Sequence, residues 1–399
     1  MLSNLRVWVK LALFGAAAVA LSVVLAAWRV AGDRAALEAA RQELRGAEYL
    51  EALSHVFQKV AEHRGLAARL LSGADVRSEL AQTQQELRAA FDAAGHVDRR
   101  HGRYLETTQV FDRLRGSWDR IASSLESLKP EESFQQHSQL VAEILDLIWH
   151  VGVASGITLD PYADGLYLGN TVIGPLPQAI EQMGQLRSLG SGALTRRSVT
   201  LRDRAALQER IGAVRLLERE FTRQLEEAFR ANPVARAALE PKLKEGDRLV
   251  EEYLRVAEEQ VVRADRLTAS PEAYFALATR AIDSRFDLYR EATRSLREVL
   301  GARVSQTQRG IWSVATTSAL LVAAVAAFGV ATTRSVTGPL GRLVQALQRV
   351  AQGDLRVEVG LQGRDEVAQV AQAFDRVVAW LRDTVGRATE VSQTLTASA

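Results

Sequence analysis

Three arginines fall within or beside apolar stripes of helical pattern: Arg64 in Glu62-His63-Arg64-Gly65-Leu66, Arg187 in Met183-Gly184-Gln185-Leu186-Arg187-Ser188-Leu189, and Arg280 in Ala278-Thr279-Arg280-Ala281-Ile282-Asp283. A guanidinium facing the inside of a helix bundle needs an acceptor, and its planar fork matches a small carboxylate, nitrate or a similar anion. An internal carboxylate such as Asp283 supplies the same acceptor, and a long side chain also reaches solvent. Arg64, Arg187, Arg280 and Asp283 are therefore the candidate ligand-binding residues. The six histidines, His55, His63, His96, His101, His137 and His150, show no i, i+4 pairing with a further carboxylate, so the sequence predicts no metal site. No Walker A loop, dinucleotide fingerprint, nucleophile elbow or kinase signature occurs, and no enzymatic activity or cofactor is expected.

The elements that must position these arginines are helices. The chain has 399 residues, 25% of them charged, with eight prolines and no cysteine, so an exported domain would be held by packing alone. Lys and Arg total 50 against 48 Asp and Glu, a balance that argues against nucleic acid as a partner. Helices are predicted near 30–72, 76–95, 103–128, 131–151, 165–189, 198–230, 234–267 and 272–309, which makes two four-helix units. Asn232-Pro233 and Ser270-Pro271-Glu272 each offer a capping side chain followed by proline at the first helical position. Gly73-Ala74-Asp75 and Gly190-Ser191-Gly192 read as turns, and Ala154 to Gly174 as a turn-rich connection. Phe275, Ile282, Phe286, Tyr289 and Leu296 mark the core face of the 272–309 helix.

Two apolar runs flank that outer segment. Leu11 to Trp28 carries 18 uncharged residues behind Arg6 and Lys10, with Trp8 and Trp28 at headgroup depth; a signal peptide cleaved at Ala26-Ala27 is the rival reading. Ile311 to Ala331 is uncharged over 21 residues, roughly 31 Å of helix and enough to cross a hydrocarbon core. Arg334, Arg342 and Arg349 follow it. The positive-inside bias then places both termini in the cytoplasm and residues 29–310 outside, in an inner-membrane protein surrounded by lipid. The boundaries are a cytoplasmic 1–10, membrane helices at 11–28 and 311–332, a periplasmic helical domain at 29–310, a linker module at 333–386 and a coiled coil from 387 to 399.

In that module Leu340, Leu343, Leu347 and Val350 fall on one helical stripe, Gly353-Asp354-Leu355 interrupts it, and a second helix opens at Asp365-Glu366. Val367, Ala371, Phe374, Val378, Leu381, Val385, Ala388, Ser392, Leu395 and Ala399 then alternate four and three. One such helix cannot bury its own stripe, so it needs partners. Gly353 suits a backbone turn, and Leu355, Val357 and Val359 alternate as an extended segment would.

This order, with Thr337-Gly338-Pro339-Leu340, Gly353-Asp354-Leu355, Asp365-Glu366 and Ala373-Phe374, resembles the HAMP linker of bacterial transmembrane sensors. The resemblance implies a homodimer whose four helices form a parallel bundle that switches packing, with Pro339, Leu343, Gly353, Asp354, Leu355, Glu366 and Phe374 in the relay. The whole layout resembles a methyl-accepting chemotaxis protein, and the segment after Ala388 is similar to the opening of that family's signalling hairpin. It implies a hairpin beyond Ala399 that engages a cytoplasmic kinase and coupling protein. The sensor portion of a histidine kinase or diguanylate cyclase is one alternative, and a non-sensory coiled-coil scaffold another. Arg64-Gly65-Leu66 is similar to the Glu-Arg-Gly box of nitrate- and nitrite-sensing helical domains, with His63 where that box has glutamate. Helical bimodular domains that bind organic acids share the size and two-bundle layout. The expected ligand is nitrate, nitrite or an organic acid.

Overall fold

A computed structural model describes residues 7–397. Arg6 and Ala399, used above for orientation and for the end of the stripe, lie outside the described residues. The chain is all-α: α1 (Val7–Leu71), α2 (Arg77–Leu105), α3 (Thr108–Ser124), α4 (Pro130–Ser155), α5 (Ala163–Ile173), α6 (Pro175–Arg196), α7 (Leu201–Ala231), α8 (Pro233–Ala257), α9 (Pro271–Thr332), α10 (Gly338–Ala351) and α11 (Glu366–Ala397). Residues 35–308 form one compact unit, and those up to 34 together with those from 309 form a second.

In the first unit, α1 to α4 make one bundle. Tyr49 on α1 donates to Asp98 on α2 at 2.9 Å and meets the Phe111 ring of α3, while His63 lies edge-on to Trp118 of α3 and 2.8 Å from His137 of α4. Helices α6 to α9 make the other, with α5 packed on α7. Here Tyr253 of α8 donates to the Met183 carbonyl on α6 at 3.1 Å and Tyr274 of α9 to the Leu186 carbonyl at 3.2 Å. Arg285 of α9 is fully buried between Glu218 of α7 and Asp247 of α8. The bundles share one apolar core, joined where Phe57 of α1 meets Phe286 of α9 edge-on at 5.1 Å.

Several boundaries fall where local chemistry places them. Asn232 Oδ1 accepts from the Val234 and Ala235 amides at 3.1 Å, and Ser270 Oγ accepts from Ala273 at 3.1 Å, so both prolines stand at the start of a capped helix. Thr200 and Asp203 close a reciprocal capping box at the head of α7. The chain leaves α1 through Gly73 at φ +93°.

Other boundaries differ from expectation. Gly95 and Gly102 do not end α2, because each lets a neighbour approach closely, the Phe111 ring in one case and Asp98 with Thr108 in the other. The helix instead stops at Glu106, held in the left-handed region at φ 55°. Gly190-Ser191-Gly192 is not a turn but the interior of α6, where Gly190 leaves room for the Tyr274 hydroxyl. The predicted 165–189 helix is split at Gly174-Pro175, where proline has no N–H to continue the ladder. Ala154 to Gly174 is more helical than its glycines suggest, with a 3₁₀ turn at Ile157–Leu159 followed by α5.

In the second unit, α1 and α9 each contain a window long and apolar enough to cross a membrane, and no residue of either window is buried. After α9 the ladder slips into a π-helical turn at Thr333–Thr337, where the Gly338 amide bonds the Thr333 carbonyl. Pro339 explains the slip, since it offers no amide to the carbonyl four residues back. Leu343 and Ala346 of α10 are buried with Ala368, Ala371 and Val378 of α11 and Val357 of the connector. Asp375 of α11 fastens the connector by accepting from the Val359 amide at 2.8 Å and the Gly360 amide at 3.0 Å. Asp365 caps α11 through the Ala368 amide at 2.8 Å. Val385, on the same helix, is 51% exposed.

Candidate anion site between α1, α6 and α9

Arg187 lies on the inner face of α6, 6% exposed, with its guanidinium 4.6 Å from the Phe275 ring centroid of α9. Its Nη1 donates to Thr279 Oγ1 at 2.9 Å. The Nε is buried with no hydrogen-bond partner, and no ion pair engages the side chain among the described residues. Gly65 of α1 makes this position available: a Cβ there would lie 3.0 Å from Arg187 Nη2. Burial brings the guanidinium down to about 10, Arg64 pushing the same way, and it stays cationic at neutral pH. A desolvated positive charge with an idle donor is a costly arrangement for a protein to hold without an anion.

Beside it is a cavity of about 230 Å³ lined by Gly65, Leu66, Thr83, Arg187, Phe275, Thr279 and Asp283, with Glu62 and Arg69 among its other walls. Asp283 is solvent-accessible at its outer end, yet desolvation pushes its carboxyl up to about 6, Glu62 adding repulsion and Arg187 opposing. Arg64 occupies the neighbouring position but is committed elsewhere. Its two Nη atoms grip Glu181 of α6 at 2.8 Å each, Nη1 also reaches Ser138 at 3.0 Å, and Gly184 leaves space for Nη2. The acceptor that Arg64 needed is thus internal.

The structure brings Arg187 and Asp283 to one cavity, sets Arg64 behind Glu181, and leaves Arg280 exposed, 100° around α9 from Thr279. Sequence reasoning did not single out Glu181, Phe275 or Thr279 as site residues. Glu181 carries a signal in hindsight, an acid inside the apolar run Ala179-Ile180-Glu181-Gln182-Met183, while Phe275 and Thr279 look like ordinary core and helix positions. No group of three or more potential metal ligands occurs among the described residues.

Residues 55–301, more than half of the chain, match the family described as Nitrate and nitrite sensing. The chain belongs to that nitrate and nitrite sensing family. Residues 331–382 match the HAMP domain. The chain is 37% identical over 57 residues to a putative sensory transducer protein of Acetivibrio thermocellus, and 35% identical over 94 residues to the methyl-accepting chemotaxis protein McpQ of Pseudomonas putida. These stretches cover 14% and 24% of this chain, and 10% and 14% of the relatives' own lengths. The solved structure of the NasR transcription antiterminator superposes over 93% of this chain and 99% of its own at a TM-score of 0.56 and 15% identity, so the two share a fold. A member of the nitrate and nitrite sensing family with a HAMP domain is a signal transducer.

Proposed function

We propose that the chain is the sensor and relay of an inner-membrane chemoreceptor that binds nitrate or nitrite at Arg187 and passes a helix displacement to its HAMP domain. The observation that carries this is the buried Arg187 guanidinium, which has no ion-pair partner among the described residues and lines a cavity of ligand size. Nitrate and nitrite are planar oxyanions, and both place acceptors in the plane of the guanidinium fork. Asp283 sits at the outer end of the cavity and Arg64 holds α1 to α6 behind it. The receptor works as a homodimer with both termini in the cytoplasm and residues 29–310 in the periplasm. Pro339, Leu343, Gly353, Asp354, Leu355, Glu366 and Phe374 take part in the relay. The output is to a cytoplasmic kinase and coupling protein, controlling chemotaxis.

Calorimetry on the full chain in nanodiscs, titrated with sodium nitrate and sodium nitrite, tests the site. Arg187→Gln removes the charge and the fork, and an affinity loss of about 10-fold or more is expected, the scale of a lost charge-assisted hydrogen bond. Arg280→Gln, on the exposed face, is expected to bind like the parent. Undiminished binding in Arg187→Gln would move the site elsewhere.

A further inference from the structure

A second cavity, of about 270 Å³, lies between α1, α8 and α9 and shares no lining residue with the Arg187 site. Its walls carry both signs of charge in equal number, Glu51, Asp287 and Glu291 against Lys242, Arg290 and Arg294. Some of these are already engaged. Asp287 and Arg290 hold each other, Arg290 also bonds Gln58, and Glu51 takes Arg297 at 3.2 Å.

Four side chains remain available. Lys242, half-buried on α8, makes no hydrogen bond or ion pair among the described residues. Glu291 and Arg294 on α9 stand 3.9 Å apart, too far for a hydrogen bond. His55 of α1 makes no hydrogen bond among the described residues, and burial with help from Arg290 keeps its imidazole below the usual value. It is therefore neutral near pH 7 and keeps one ring nitrogen free to accept a proton donor.

A simple anion entering this cavity would meet three carboxylates, and a simple cation three positive side chains. A ligand that carries both charges meets a partner for each, and the mixed lining that rejects single ions then becomes its recognition surface. We infer that this cavity is a second binding site, for a small zwitterion of the α-amino-acid type, with Lys242 and Arg294 on its carboxylate and Glu291 and His55 on its ammonium. The volume suits a molecule of that size and leaves space for a short side chain. Because the lining residues come from α1 and α9, which also wall the Arg187 site, an occupant here acts on the same helix pair.

The test uses the full chain in nanodiscs and calorimetry with glycine, L-serine and L-glutamine, each alone, beside sodium acetate and ethylammonium chloride, which each lack one of the two charges. At least one amino acid is expected to bind, and neither single-charge control. Lys242→Ala and Glu291→Gln are each expected to weaken that binding about 10-fold or more. Arg280→Gln, on the exposed face of α9 and in neither cavity, leaves it unchanged, and thermal melts confirm that the variants are folded. The inference is overturned if no amino acid binds, if acetate binds as well as the amino acids, or if neither Lys242→Ala nor Glu291→Gln changes the affinity. A nitrate titration of the same samples reports on the Arg187 site separately, so either site can fail alone.

Discussion

A guanidinium buried against a carboxylate holds a structure together, whereas one buried without a carboxylate leaves a charged donor unanswered, and α6 meets one of each. Arg64 is satisfied by Glu181, whereas among the described residues Arg187 hydrogen-bonds Thr279 alone. The sequence could mark both, because an arginine inside an apolar stripe is legible by period alone. It could not tell them apart, since the difference depends on Glu181 reaching across from another helix. Arg280 shows the limit of the same reasoning: one residue from Thr279, it is turned by the helical step to the exposed face. At the site itself, two side chains make predictions. Asp283, with its carboxyl up near 6, is ionised at pH 7.5 and repels an anion in the cavity. Protonation on the way down through pH 6 removes that repulsion, so nitrate affinity is expected to rise about fivefold between pH 7.5 and 5, the scale of one partly screened charge. Asp283→Asn should bind at the low-pH level throughout, and a flat profile in the parent would exclude this role. Gly65→Ala puts a methyl against Arg187 Nη2 and is expected to lower nitrate affinity while thermal stability changes little, because the guanidinium end can shift.

Elements were legible where their ends carry their own chemistry. Asn232-Pro233 and Ser270-Pro271 announce capped helices without reference to anything distant. Gly190 and Gly95 were not legible as helix interior, because their reason is a neighbour's approach rather than a turn, and that neighbour comes from another helix. The same holds for the clasp that joins α1, the α4–α5 connection and α9. Arg303 of α9 binds Asp160 at 2.6 Å and Asp164 at 3.1 Å, stacks over Tyr162, and lies 3.7 Å from Glu43 of α1. Glu43 is 6% exposed, and burial, with repulsion from Asp160 and against the pull of Arg303, pushes its carboxyl up to about 7. A carboxyl raised on folding binds more protons in the native state, so its contribution is present at low pH and is lost as pH rises from the unfolded value near 4.5 through about 7. The shift corresponds to roughly 3–4 kcal/mol at most. Glu43→Gln keeps the neutral shape at every pH, so the gap in melting temperature between Glu43→Gln and the parent should open in the variant's favour between pH 5 and 8. A gap that stays constant across that range would mean Glu43 is ionised in the clasp.

For the whole molecule, the question is how the proposed receptor would carry a signal from the Arg187 cavity to α11. Helix α1 spans Val7–Leu71 and α9 spans Pro271–Thr332, so residues that wall the Arg187 site belong to the same two helices as the membrane-length windows. In the proposed relay a bound anion would bias these helices only through unequal affinity for two arrangements of them, a coupling of about 1–3 kcal/mol in typical receptors. The connector that Asp375 fastens, and the π-helical turn ahead of Pro339, are where such a bias would be converted into repacking. The stripe on α11 supplies a readout, because Val385 is exposed in a single chain and the proposed homodimer covers it. The chain contains no cysteine, so an introduced one reports alone. In membranes under mild oxidation, Val385→Cys is expected to cross-link into a disulfide dimer, and Asp383→Cys, two residues and about 200° around the helix, to do so far more slowly. Nitrate should change the Val385→Cys rate by about 5-fold or more, as the coupling above allows, and Arg187→Gln on the same background should abolish the response. Equal cross-linking at both positions would deny the parallel dimer, whereas a Val385→Cys dimer whose rate ignores nitrate would keep the dimer and deny the relay.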